Sequence, residues 1–316
     1  MLSLILIIII LILSVRNSSI ISESVYQVLD VLIYILIPSL FFMMITSKLL
    51  KSNTIIIKAI SFLARWLKKI FNFENDIEVY ILFFSLLSGN PTSQILISDS
   101  YKNNEISYKE ANRLSKFLCF SSPVYLYKTT IMLSPKAVFP IIFTTYFVPL
   151  LGLYLTSSKD KRSYNTKIKA VEANLNEVIF TSASSLFKIS TFVFFFTVIF
   201  NMLYKELNLN EIVAFYLSNV LDLTVSINHI YHYNLVIDMA LYIFFNTFLG
   251  LSIHLQIKSQ APHLEYLTFL NMRIILSIIS SFYIVIFYFA PYITFFVIAI
   301  AYAYKKRSHN DLLFNS

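Results

Sequence analysis

Apolar runs about as long as a membrane-spanning helix recur along this chain and constrain its fold more than any other feature. They cover residues 28–46, 138–155, 179–204 and 272–289. A helix needs about 20 mostly apolar residues to cross a bilayer. Only 13% of the residues are charged, whereas soluble domains carry about 25%. The sequence therefore predicts an all-α polytopic integral membrane protein with a single transmembrane domain.

The basic side chains lie mainly between these apolar runs. This placement follows the positive-inside rule, so the net charge of +8 does not indicate a nucleic-acid partner. Residues 157–169 hold five basic side chains against one acidic side chain. We interpret residues 157–178 as a basic cytoplasmic linker that joins a first repeat, residues 28–156, to a second repeat, residues 179–304.

Further segments of the first half have their own predictions. Residues 1–15 are apolar but lack the basic start of a signal peptide, so we expect an uncleaved first helix. Residues 48–69 mix basic and apolar side chains, which is typical of an amphipathic helix on the cytoplasmic membrane surface. Pro38 predicts a kink whose freed carbonyl bonds to a neighbouring helix or to Ser39. We interpret residues 113–127 as part of one further helix that begins at Arg113.

Two short polar stretches interrupt the apolar pattern and hold two of the three glycines. The first contains Gly89 and Pro91, and the second contains Gly250. Glycine permits positive φ and proline lacks the N–H of a helix, so both stretches predict a helix break. Such breaks at membrane depth are tolerated only beside protein or a water-filled cavity. We therefore expect two re-entrant helical hairpins in inverted repeats, with a solute site between their tips.

Polar side chains follow each break at helical spacing. The N-termini of half-helices present unpaired N–H groups and a positive dipole end, which favours an anionic solute. The predicted substrate-binding residues are Ser88, Asn90, Thr92, Ser93, Gln94, Ser252, His254 and Gln256. The two glutamines are equally compatible with hydrogen bonds that only hold helices together.

Three charged residues are candidates for charge balance or coupling. Arg113 and Arg273 follow the two breaks at similar distances and are expected either to balance the charge of a solute or to lie at the membrane interface. Asp222 lies inside an apolar run, where a carboxylate is costly and is usually paired or coupled to ions.

Residues suited to catalysis or metal binding are sparse. The single cysteine, Cys119, excludes a cysteine-built zinc site and is interpreted as a packing residue. His229, His232 and Asp238 have metal-like spacing but lie in a tyrosine-rich loop typical of a membrane interface. We predict no enzymatic activity, no metal and no cofactor. The expected partners are a small anionic solute and membrane lipid, and a homo-oligomer is left open.

Several short blocks keep a fixed order between residues 36 and 280. They are Leu36-Ile37-Pro38-Ser39-Leu40-Phe41-Phe42, Ser88-Gly89-Asn90-Pro91, Asn104-Glu105-Ile106-Ser107 with Glu110-Ala111-Asn112-Arg113, Val220-Leu221-Asp222-Leu223-Thr224, and Gly250-Leu251-Ser252-Ile253-His254-Leu255-Gln256. Together they resemble the YlbJ-type (SpoVV-like) sporulation integral membrane proteins, a family similar to the nucleoside-recognition Gate-domain membrane proteins. The resemblance implies transport of dipicolinate from the mother cell to the forespore, and a place in the outer forespore membrane.

The chain departs from that family at positions near both breaks. Asn90 stands where the family has tyrosine, and Ser93, Ser226 and Leu249 stand where it has glycine. These departures alter how closely backbone approaches solute. Three interpretations stay open: a dipicolinate carrier, a Gate-type carrier of a nucleoside-like solute, and a non-transporting scaffold for assembly of the spore envelope.

Overall fold

The computed structural model of the protein describes residues 16, 18–156, 174–228 and 232–314. Over these residues the chain is helical and forms no strand. The predicted first helix over residues 1–15, most of the basic linker and His229 lie outside the described residues. Five helical segments of the described chain are long and apolar enough to cross a membrane: Ser18–Leu50, Pro135–Leu155, Leu175–Glu206, Leu235–Gln260 and Tyr266–Phe289. The prediction of an all-α integral membrane protein is confirmed at this level.

Fourteen α-helices and one π-helix are found in the part of the chain that the structure describes. In chain order they are α1 (Ser18–Val31), a π-helix (Leu32–Phe41), α2 (Phe42–Ser52), α3 (Thr54–Phe71), α4 (Asp76–Ser88), α5 (Thr92–Lys102), α6 (Tyr108–Phe117), α7 (Pro123–Leu133), α8 (Val138–Leu155), α9 (Leu175–Glu206), α10 (Glu211–Leu221), α11 (Leu235–Phe248), α12 (Gly250–Gln260), α13 (Tyr266–Phe289) and α14 (Ile293–Phe314).

The first spanning segment changes its winding around Pro38. The π-helix contains this proline, which has no N–H for the carbonyl four residues earlier, that of Tyr34. The ammonium group of Lys128, on α7, donates a hydrogen bond to that carbonyl. The hydroxyl of Ser39 has no hydrogen-bond partner within the described chain. The two predicted partners of the freed carbonyl were Ser39 and a neighbouring helix. The structure shows the second, through Lys128.

The amphipathic segment predicted over residues 48–69 is mainly α3. Asn53 begins this helix by accepting hydrogen bonds from the backbone N–H groups of Ile55 and Ile56. Ile57, Ile60 and Ala64 are buried against the rest of the protein. Trp66 and other large apolar side chains of α3 are exposed. Position on the cytoplasmic membrane surface stays a prediction.

The stretch interpreted as one helix through Arg113 and Tyr127 is divided into two, which corrects that prediction. Helix α6 ends at Phe117 and α7 begins at Pro123. The side chain of Ser122 accepts a hydrogen bond from the N–H of Tyr125, and proline occupies the first helical position, where no N–H is needed. Residues 118–122 are therefore a non-helical connection between α6 and α7.

Candidate functional site

The backbone of the first break packs directly against the backbone of residues 118–122. Gly89 ends α4 with φ 69° and ψ −169°, a region that is essentially restricted to glycine. The N–H of Asn90 donates to the carbonyl of Phe120 at 2.7 Å. A Cβ atom on Gly89 would lie 2.5 Å from the backbone nitrogen of Ser122. Glycine is required here for both conformation and space.

The second break packs against the end of α10 in a similar way. Leu249 and Gly250 have φ angles of 87° and 64°, so a leucine adopts the left-handed conformation. A Cβ atom on Gly250 would lie 3.2 Å from the carbonyl oxygen of Asn219 and 3.5 Å from the Cα of Asp222. This break therefore adjoins the non-helical connection that follows α10, residues 222–224.

Three non-helical segments, at residues 89–91, 118–122 and 222–224, meet helix α12 at one central cavity. It holds about 50 Å³, which is room for about four water molecules. Apolar side chains form much of its wall, among them Leu36, Leu40, Ile189, Val193, Leu223 and Ile253, and the rest of the lining is Asn90, Pro91, Ser121, Ser122, Tyr125, Asp222, Thr224 and Gln256. The structure thus brings residues of both predicted breaks together, although they are far apart in the sequence.

Two amide side chains at this cavity have an atom without a partner. The side-chain oxygen of Asn90 accepts hydrogen bonds from Cys119 Sγ at 2.7 Å and from Ser93 Oγ at 3.2 Å. Its Nδ2 has no partner within the described chain, nor does Oε1 of Gln256. The other end of that glutamine, Nε2, donates to Ser252 Oγ at 3.2 Å. Buried polar groups are usually hydrogen-bonded, so these atoms are available to a solute or to water.

Asp222 contributes the only charged side chain among the described residues that line the central cavity. It is 2% exposed. One carboxylate oxygen accepts hydrogen bonds from the N–H of Thr224 at 2.7 Å and from its hydroxyl. The carboxyl group is therefore held at the cavity wall by a local turn, without a basic partner among the described ion pairs.

Of the eight predicted substrate ligands, Asn90 and Gln256 line this cavity, whereas six do not: Ser88, Thr92, Ser93, Gln94, Ser252 and His254. Gln94 is fully buried against α6, where it exchanges hydrogen bonds with the hydroxyl and the carbonyl of Ser115. His254 bonds to the carbonyl of Phe248 and lies among aromatic rings, including that of Phe269. The position of Gln94 matches the alternative in which the glutamine only holds helices together.

Arg273 supports the connection between α6 and α7 from behind. Its side chain is fully buried, and its guanidinium donates to the carbonyl oxygens of Cys119 at 2.6 Å and Lys116 at 3.2 Å. It also lies 5.8 Å from the ring centre of Phe269. The cation binds carbonyls that the end of α6 leaves without helical partners. It does not line the central cavity.

Arg113 lies in a separate ionic cluster. Its guanidinium binds both carboxylate oxygens of Glu110 and the carbonyls of Phe71 and Thr156. Burial raises the pKa of the nearby Glu78 carboxyl well above its ordinary value, and the Glu110 carboxyl raises it further. The cluster ties together the ends of α3, α6 and α8, so neither predicted arginine touches the cavity.

Two further cavities flank the central one. The first, which we call the vestibule, holds about 570 Å³ and is lined by Ser88 and Thr92 of the first break together with Lys48 and Glu177. The second, which we call the distal cavity, holds about 50 Å³ and is lined by residues that include Tyr125 and Asn246. The first break therefore separates the vestibule from the central cavity, because Asn90 and Pro91 face the other side.

Comparison of the chain with known protein families, with curated proteins and with solved structures finds no match. The resemblance to the YlbJ-type proteins therefore stays a prediction, and the site rests on its own geometry.

Several residues of the site were not identified from the sequence. The connection at residues 118–122 has a local signal, since Ser121-Ser122-Pro123 combines a capping serine with a proline suited to the first helical turn. Tyr125 and Asn246 have no such signal, because their roles depend on which helices become neighbours.

Proposed function

We propose that this protein is a membrane carrier for a small polar solute, built from inverted repeats with two re-entrant segments whose tips enclose the solute site. The observation that carries the proposal is the central cavity, which lies between both helix breaks and presents unpartnered amide atoms of Asn90 and Gln256. Broken helices that meet near a central site are a recurring design of transporters.

The vestibule supports transport rather than a purely structural role. It reaches the first break at Ser88 and Thr92, and it is much larger than the central cavity. Asn174 and Glu177, which belong to the predicted linker, also line it. A large cavity on one side of the break and small cavities on the other are expected of a carrier that exposes its site to one side at a time.

Dipicolinate is the first candidate solute. The family resemblance implies this flat pyridine dicarboxylate, and the amide donor of Asn90 suits a carboxylate oxygen. The proposed setting is transport from the mother cell to the forespore across the outer forespore membrane. That setting rests on the resemblance alone.

A nucleoside-like solute is the second candidate, and Asp222 favours it. The described lining of the central cavity has a carboxylate and no basic side chain. A dianion placed there would meet repulsion at close range, whereas an uncharged solute with hydroxyl and amide groups would hydrogen-bond to the carboxylate. The two candidates therefore differ in the charge that the cavity must hold.

Uptake by proteoliposomes of labelled dipicolinate, labelled uridine and a labelled plain dicarboxylate, each measured alone and with the other two as competitors, tests the proposal. We expect saturable uptake that Asn90→Ala and Gln256→Ala each reduce about tenfold, because each removes a buried hydrogen-bonding group from the site. Competition by uridine alone would select the second candidate.

Gln260→Ala is the matched control, since this glutamine lies on the same helix as Gln256 but does not line the central cavity. Its uptake should match that of the unmodified protein. Absence of uptake of all three solutes by folded, reconstituted protein would reject the carrier and favour the scaffold.

A further inference from the structure

The side chain of Tyr125 forms part of the wall between the central and distal cavities. It lines both of them, as does Leu223. Its hydroxyl donates to the carbonyl of Leu223 at 3.4 Å, which is long for a hydrogen bond of this type. A wall that consists of the Tyr125 ring and the Leu223 side chain is thin compared with a packed helix.

Each cavity presents one amide donor that the protein does not use. Nδ2 of Asn90 belongs to the central cavity, and Nδ2 of Asn246 belongs to the distal cavity. The oxygen of Asn246 accepts a hydrogen bond from Ser121 Oγ at 2.7 Å. Because Asn90 also bonds to residues 118–122, one connection orients both amides.

The distal cavity has the walls of a site for a flat ring. Tyr125, Tyr242 and Phe215 contribute aromatic side chains to it, and Asn246 is only 3% exposed. The carboxylate of Asp238, also at this cavity, is engaged by the N–H of Tyr233 and by His232. Each cavity alone holds about 50 Å³, which is less than an aromatic solute requires.

We propose that the two cavities are halves of one solute site, and that the Tyr125 ring is a displaceable plug which occupies the position of the solute ring. The solute class is a flat aromatic molecule with hydrogen-bond acceptors at two edges, one for Asn90 and one for Asn246. Both dipicolinate and a nucleoside belong to this class. The inference rests on the proposed carrier function and specifies the site.

Equilibrium binding to purified protein tests the plug. Labelled dipicolinate and labelled uridine are titrated in separate arms against the unmodified protein, Tyr125→Ala and Tyr127→Ala. The plug must move before a solute binds, so the measured affinity is reduced by the fraction of protein in which it has moved. A displaced fraction of about one tenth predicts that Tyr125→Ala binds about tenfold more tightly.

Tyr127→Ala is the matched control, since this tyrosine is on the same helix but is 52% exposed and lines neither cavity. It should bind like the unmodified protein. Asn90→Ala and Asn246→Ala should each weaken binding about tenfold if the solute spans both halves. Loss with Asn90→Ala but not with Asn246→Ala would overturn the inference, because the solute would then use the central cavity alone.

A measurement with Tyr125 in place guards against misfolding of the alanine variant. Cys119→Ser removes the native thiol, and Ser226→Cys then places one thiol at the distal cavity. Saturating solute should slow the reaction of this thiol with a small maleimide. An unchanged rate, or equal affinities of Tyr125→Ala and the unmodified protein, would show that Tyr125 is a fixed wall. Uptake that persists in that case leaves the carrier function intact, whereas absence of both binding and uptake rejects both proposals.

Discussion

Gly89→Ala tests whether the contact between the first break and residues 118–122 determines the site. The φ and ψ of Gly89 lie in a region where a side chain costs about 1–3 kcal/mol. The new Cβ would also lie 2.5 Å from a backbone nitrogen of Ser122, an atom that cannot rotate away. The break must therefore move outward and lose the hydrogen bond from Asn90 to Phe120, which is worth about 1 kcal/mol. Together these give a destabilisation of about 2–4 kcal/mol.

Gly250→Ala provides the comparison, because it combines positive φ with a milder contact. Its nearest neighbour would be a carbonyl oxygen at 3.2 Å, and its other contacts would be normal. We expect its cost to be mainly the left-handed conformation, about 1–2 kcal/mol. The difference between the two variants therefore reports the steric overlap at Gly89 together with the greater backbone strain of its φ and ψ.

Thermal unfolding of the purified proteins in detergent, followed by size-exclusion chromatography after heating, measures the order of stability. The apparent melting temperature should fall for both variants and should fall further for Gly89→Ala. Uptake by Gly89→Ala should be lost even below its melting temperature, since Asn90 is displaced from the cavity. A Gly89→Ala protein that is as stable and as active as the unmodified protein would refute the geometry of the break.

Three other changes have effects that follow from single contacts. Arg113→Met removes the cation that binds the buried Glu110 carboxylate, so we expect a loss of about 3–5 kcal/mol; adding Glu110→Gln should restore most of the melting temperature, and no recovery would contradict the pairing. Lys128→Met leaves the Tyr34 carbonyl without its donor and should cost about 1–3 kcal/mol, which a normal melting temperature would disprove. Glu78 binds its proton more tightly in the folded protein than in the unfolded chain, so stability should fall as pH rises above the ordinary glutamate pKa; a melting-temperature series from pH 5 to 9 should flatten in Glu78→Gln.

The positions of the helix breaks were predictable where the residue type itself forbids a helix. Gly89 and Pro91 are such residues, and the chain leaves helical geometry at that point. The second break is less direct, because the residue with the larger positive φ is Leu249 and only the adjacent Gly250 has a suitable residue type. Leucine is held there by its surroundings, being 1% exposed. Strain imposed by tertiary packing leaves no mark in a local sequence pattern.

The roles of the two arginines were not predictable for a related reason. A single arginine in an apolar sequence is typical of an interfacial side chain, yet Arg273 is completely buried. Its partners are the carbonyls of Lys116 and Cys119, which are free only because α6 ends there. Since residues 118–122 were interpreted as helical, those acceptors were not expected to exist. One missed helix end therefore concealed both the break and the cation that stabilises it.

The glycine positions match the break at Gly89 with the break at Gly250. The order of the helices instead favours matching residues 118–122 with Leu249 in the proposed repeats. The segment of residues 108–133 is interrupted at 118–122 and is followed by α8, whereas Leu235–Gln260 is interrupted at Leu249 and is followed by α13. Each interruption adjoins the connection of a preceding pair, at residues 89–91 or 222–224. On this correspondence Asn90 and Asp222 occupy matching tips. The departure of the chain from symmetry is then an amide at one tip and a carboxyl group at the other, so the two tips present different hydrogen-bonding groups to the central cavity.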